Sequence, residues 1–233
     1  MKRFALLIIA WNSFSITQDN TPCNTLCISL GWNCQVAANL RDNNLRSYSF
    51  PFDWNQTSYE GLCALIRNHF QDLLNPTYLI YKAPNAAGVF NTKYNVALSH
   101  AFPTYIRDDG IRMVIEQYLD FLPGVTATYQ RRIERFYDAC NMADHVYFIR
   151  LGSERWRYDT YIGKHNVTEL RDILQIAFPH GNWHLVVVHN NPEYQEDWHI
   201  PKVVNIHMPT IVGDTHAEWQ HVLTILGLIQ SPE

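Results

Sequence analysis

The 233-residue sequence predicts an α/β fold: a single layered domain with a mostly parallel central sheet flanked by helices. Three observations carry this. The composition, 47% hydrophobic and 17% charged, supplies a substantial core and is not that of a disordered chain. The chain opens its ordered part with an apolar strand followed at once by an amphipathic helix. From residue 145 onward the patterns run strand, helix, strand, strand, helix, the alternation that produces parallel strands joined by crossovers. One domain is expected over 23–233, with 1–22 as a lead-in.

The elements follow in order. Leu26–Gly31 reads as a buried strand, and Asn33–Asn43 as a short helix with Val36, Ala37 and Leu40 on one face. Ser49–Trp54 contains proline and reads as extended. Thr57 with Glu60 resembles a capping box that opens a helix through about Phe70. Tyr78–Tyr81 reads as a strand, Pro84–Thr92 as a loop, and Val96–Phe102 as strand or loop. Ile111–Leu122 carries apolar residues at 111, 114, 115, 118, 119 and 122, a helical stripe that Pro123-Gly124 would stop. Tyr129–Cys140 reads as a further helix. His145–Leu151 is a strand. Asn166 and Glu169 suggest a capped helix to about Phe178. Trp183–His189 and Val203–Met208 are apolar strands, and Asp214 or Thr215 starts the last helix, to about Leu228.

The most informative stretch for chemistry is Gly31-Trp32-Asn33-Cys34-Gln35, between the first strand and the first helix. Asn33 is a good N-cap, which would place Cys34 at the first helical position. Backbone N–H groups and the helix dipole there favour an anion, and the thiolate is the nucleophilic form of cysteine. In parallel sheets functional groups gather at the carboxyl ends of strands. Cys34 lies just past one such end; His189 and Asn190 lie at another. A buried structural thiol is the bland alternative.

A thiol nucleophile needs a base and the base an orienting group. His100, His189 and His216 are the histidines at element ends. Asp53, between Phe52 and Trp54, could orient a histidine, bind a substrate amine or cap a turn. Arg150, at a strand end, could pair with Asp53 or bind a carboxylate. A nucleophile after the first strand and an Asp214/His216 pair opening the last helix is the chain order of SGNH-type hydrolases. Those enzymes use Ser in Gly-Asp-Ser, with Asp and His three apart rather than two.

The motifs Ser29-Leu30-Gly31-Trp32-Asn33-Cys34 and Leu45-Arg46-Ser47-Tyr48-Ser49-Phe50-Pro51-Phe52-Asp53-Trp54, followed by Ser99-His100-Ala101-Phe102-Pro103, resemble a family described as papain-like cysteine peptidases. The likeness continues through Tyr129–Phe136, Val146–Arg150 and Val186–Asn190 and spans about Leu26 to Leu228. The resemblance implies Cys34 as nucleophile, His100 as base and Asp53 as acidic partner; Asn33, Trp54, Arg150, His189 and Asn190 are the candidate substrate-binding residues. It also offers papain-like α+β as the alternative fold. Members often carry Asp directly after the histidine, where this chain has Ala101. The implied substrate is a peptide or amide. No metal or organic cofactor is needed. Acyl or amide transfer on the same dyad is one rival. A non-catalytic module holding peptide or carbohydrate through Trp54, Trp156 and Trp198 is another.

Composition excludes other classes. A net charge of −4 without a basic run argues against nucleic acid. Arg131-Arg132 reads as solvated helix surface. Gly31 and Gly152 are isolated, so no phosphate-cradling loop supports a nucleotide-sugar transferase. Five cysteines, an odd number, do not form a disulfide scaffold. Met1-Lys2-Arg3, the apolar Phe4–Trp11 and Ser13-Phe14-Ser15 have the layout of a short export signal, too short for a permanent membrane span. The sequons at Asn55 and Asn166 matter only if the chain enters a eukaryotic secretory route. The oligomeric state is not encoded legibly.

Overall fold

The computed structural model describes residues 24–81, 88–152, 162–211 and 215–230. The candidate export signal, Cys23, Trp156 and Asp214 lie outside them. The α/β expectation holds. Four strands, β1 (Thr25–Ser29), β8 (His145–Leu151), β9 (Trp183–His189) and β10 (Val203–His207), lie in that spatial order, and every neighbouring pair is parallel. The intervening β2–β7 belong to an insert described below.

The sheet strands are near-continuous apolar runs because both faces are covered. Successive side chains point to opposite faces. Ile28, Phe148, Leu185 and Val187 join one core, while Cys27, Ile149, Val186 and Val188 join the other. On the first face lie α3 (Leu122–Met142) and α4 (Val167–Ala177), through Phe136, Cys140, Leu170 and Leu174. On the second lie α1 (Gln35–Asp42) and α5 (His216–Ile225), through Val36, Leu40, Trp219 and Val222. The bond from Gln35 to Thr215 and that from Gln220 to Asn43 align α1 and α5 in the same direction, with both N-termini at the carboxyl end of the sheet.

Between α1 and β8 the chain builds an insert. It holds α2 (Tyr59–Arg67) and an antiparallel sheet in the order β2 (Gln56–Thr57), β5 (Val96–Leu98), β4 (Val89–Asn91), β3 (Leu79–Tyr81). A hairpin of β6 (Thr104–Ile106) and β7 (Arg112–Val114) follows. Helix α2 packs on α4, where Tyr59 Oη donates to Asn166 O at 2.6 Å and Arg67 meets Glu169 at 2.6 Å.

Four local expectations are corrected. The helix over Ile111–Leu122 is replaced by β7 and a 3-10 turn at Tyr118–Phe121. Asp109-Gly110 is a hairpin signal, and Gly110 adopts φ +80°, which glycine tolerates without strain. The apparent stripe is not a face: Ile111 and Leu119 are exposed while Val114 is buried. Pro123 opens α3 rather than stopping a helix, since the first turn leaves its N–H positions unpaired anyway. Ser49–Trp54 is turned, not extended, with Asp53 N donating to Phe50 O and Asn55 N to Phe52 O. Finally, the N-cap of α2 is Ser58, whose Oγ accepts from Gly61 N at 3.0 Å; Thr57 is in β2.

Candidate functional site

The turn after β1 is built to present Cys34. Leu30 N donates to Ile149 O and extends the β ladder by one residue. The chain then reverses through two left-handed residues, Gly31 at φ +81° and Trp32 at φ +80°. Position 31 suits glycine twice over: a Cβ there would also stand 3.2 Å from Thr57 Oγ1. Trp32 has no such freedom, and a bulky residue in this region is a strained element of the kind that clusters at working sites. Cys34, not Asn33, occupies the N-cap position of α1, one residue earlier than expected, and Asn33 Oδ1 accepts from Gln35 N at 2.8 Å just ahead of it.

Cys34 is exposed, whereas Cys27, Cys63 and Cys140 are buried. Burial pushes the Cys27 thiol up to about 12 and Cys63 to about 11, and raises Cys140 as well. Those three are inert at neutral pH. Among the described cysteines, only Cys34 can meet a substrate.

Arg150 is fully buried beneath this turn. Its guanidinium donates to Leu30 O at 3.1 Å and Thr57 O at 2.8 Å, tying the Cys34 turn to the Phe50–Thr57 segment of the insert. Arg150 therefore does not pair with Asp53. Backbone carbonyls of two segments hold it, because β8 runs directly under both. The cation on Asp53 is Arg46: Nε donates to Asp53 Oδ2 at 2.9 Å, and Phe50 N donates to the same oxygen at 2.8 Å. Oδ1 of Asp53 is buried with no partner among the described residues. Burial raises the Asp53 carboxyl to about 6, against the lowering effect of Phe50 N–H and Arg46.

Arg46 also lies over Trp54, its guanidinium carbon 5.0 Å from the ring centroid. Trp54 meets His100 edge-on at 6.0 Å. Asp53, Arg46, Trp54 and His100 thus form a chain of contacts, and the segment carrying Asp53 and Trp54 abuts Gly31. Asp53 makes no hydrogen bond to His100, and none joins His100 to Cys34. Partial burial lowers the His100 pKa, with the Arg112 charge adding to it, so the ring is neutral and able to accept a proton at neutral pH.

The remaining expected residues stand apart. His189 is fully buried, its ring stacked on Trp198 at 5.5 Å and 5.8 Å from His207. Trp198 is itself buried, so it offers no platform for a sugar. Asn190 is half-buried after β9. Asn55, one of the sequon asparagines, is buried: Nδ2 donates to Pro51 O, and Oδ1 accepts from Tyr129 Oη at 2.8 Å.

Sequence reasoning passed over three features. Arg46 lies inside the Leu45–Trp54 motif, but a lone arginine carries no spacing signal. Arg132 is half-buried against Tyr129 rather than solvated. Gln35 Nε2 donates to Thr215 Oγ1 at 2.5 Å, which joins the start of α5 to the first residue of α1. Only a long-range contact could show the last of these.

A family model described as putative papain-like cysteine peptidase (DUF1796) matches residues 25–172. The matched stretch includes Cys34, Asp53, His100 and Arg150. It ends within α4, short of the reach to Leu228 that the resemblance implied. An uncharacterized protein, R408, of Acanthamoeba polyphaga mimivirus is 25% identical over 169 residues, covering 65% of this chain and 70% of its own. No solved structure matches the chain.

Proposed function

This chain belongs to the family described as putative papain-like cysteine peptidases, and from that premise we propose that it is a thiol-dependent hydrolase of peptide or amide bonds, with Cys34 as nucleophile and His100 as base. The observation that carries the reading is the exposed Cys34 on a strained turn at a helix N-terminus, while the other described thiols are buried.

His100 removes the thiol proton and the thiolate attacks the carbonyl carbon. First-turn N–H groups of α1 beyond Gln35, whose own N–H is taken by Asn33, face the oxyanion that forms. Protonated His100 gives its proton to the leaving amine as the C–N bond breaks. Water, deprotonated by His100, then cleaves the thioester, releasing a carboxylic acid and restoring the thiol. Asp53 acts on this centre through Arg46 and then Trp54, which meets the His100 ring edge-on. The direct Cys34–His100 hydrogen bond would form on substrate binding, as such bonds often tighten only in the complex. An amine in place of water would make the same site an acyl transferase.

The test is turnover of a library of fluorogenic peptide and simple amide substrates by wild type and Cys34→Ser. Activity present in wild type and reduced by a factor of about 10³ or more in the variant supports the reading. Full activity in the variant rejects it.

A further inference from the structure

The surroundings of His100 carry charge that the reaction does not use. His100, Ala101, Pro103, Val125, Tyr129 and Arg132 line a cavity of about 270 Å³, room for one side chain. Arg132 and Tyr129 stand three apart on α3 and share a face. The Arg132 guanidinium carbon lies 5.3 Å from the Tyr129 ring centroid, and Tyr129 is fixed by its bond to Asn55. The cation is therefore held in place rather than swinging in solvent.

Arg132 takes part in none of the ion pairs among the described residues. The buried carboxylate whose field it shares, Asp53, is committed to Arg46. Arg112 acts on His100 from β7 and is likewise unpaired among the described residues. Two guanidinium groups, Arg132 in the lining and Arg112 acting on His100, thus stand near this cavity in a chain whose net charge is −4. A half-buried guanidinium outside every ion pair among the described residues is matched by a carboxylate, which can accept two parallel hydrogen bonds. Ala101, Pro103 and Val125 supply apolar wall for the carbons that carry it.

We propose that this cavity is a carboxylate subsite, in which Arg132 selects substrates bearing an acidic side chain beside the bond that is cleaved. The proposal rests on the assignment of His100 to the reacting centre. The binding test, however, does not depend on turnover.

The full chain carrying Cys34→Ala is titrated calorimetrically with three probes: N-acetylglutamate amide, N-acetylglutamine amide and inorganic phosphate. The expected result is binding of the glutamate probe about tenfold tighter than the glutamine probe. Arg132→Gln should remove that preference and Arg132→Lys should keep part of it. Ala101→Asp, which places a carboxylate inside the pocket, should abolish it by a different route, and keeps the test decisive if Arg132→Gln fails to fold. Equal binding of the two amides, or a preference that survives Arg132→Gln and Ala101→Asp, overturns the proposal. Phosphate binding tighter than the glutamate probe, lost in Arg132→Gln, overturns the carboxylate assignment. A glutamate preference in a protein whose Cys34→Ser variant keeps full activity would separate the subsite from the nucleophile, leaving the pocket standing and the thiol reading rejected.

Discussion

The parallel sheet and the antiparallel insert meet at the candidate site but are held together by different forces. Strands β8 and β9 are seven residues each and almost wholly apolar, and the sheet is covered on both faces. The insert's strands are two or three residues long, too short to be stable through their ladders alone. It relies instead on buried side-chain bonds. Asn91, with no exposed surface, donates to Asp72 O and Leu73 O and accepts from Tyr94 N. The difference assigns the two halves different jobs. The sheet carries the turn of Cys34, and the polar-stitched insert carries His100.

The largest effect is expected where the halves are joined. Arg150→Met removes the donors to Leu30 O and Thr57 O, leaving two buried carbonyls unsatisfied. It should cost about 3 kcal/mol or more, read from the urea midpoint. A cost under about 1 kcal/mol would mean that the two halves are not coupled through this residue.

Asn91→Ala should cost about 2 kcal/mol. Its signature is regional: amide exchange should quicken across β3, β4 and β5 while β8 and β9 stay protected. Uniform loss of protection would erase the distinction between sheet and insert.

A smaller effect concerns pH. The Asp53 carboxyl is raised to about 6 in the folded chain. The folded state therefore holds this proton more tightly than the unfolded chain does. The stability it contributes is complete below the unfolded value of about 3.9 and is lost as pH rises through about 6. Asp53→Asn should flatten that slope in thermal melts between pH 4 and 7. It should also remove an acid limb of activity near pH 6, because only the carboxylate pairs with Arg46. An unchanged slope would show that Asp53 does not titrate in this range.

The same contrast explains what the sequence revealed. Strands β1, β8, β9 and β10 were legible because burial on both faces leaves near-continuous apolar runs. Helix α1 was legible from Val36, Ala37 and Leu40, all fully buried. The insert was not. Three-residue strands have no period to read, and Ile111–Leu122 imitated a helix by chance spacing while the Asp109-Gly110 turn went unweighed. At the site, Cys34 announced itself through its local turn. The Arg46–Asp53 pair, the grip of Arg150 on two carbonyls and the bond from Gln35 to Thr215 are tertiary facts with no local signature.

The central claim is that Cys34 is a thiol activated by His100. The direct measurement is the pH profile of Cys34 alkylation by iodoacetamide, resolved by peptide mapping, in wild type, His100→Ala and His216→Ala. The account predicts reaction well below the free-thiol range of about 8.5 in wild type, a profile moved to higher pH by His100→Ala, and no change in His216→Ala. An ordinary profile indifferent to His100 would contradict it, and a shift caused only by His216→Ala would place the base on α5 instead.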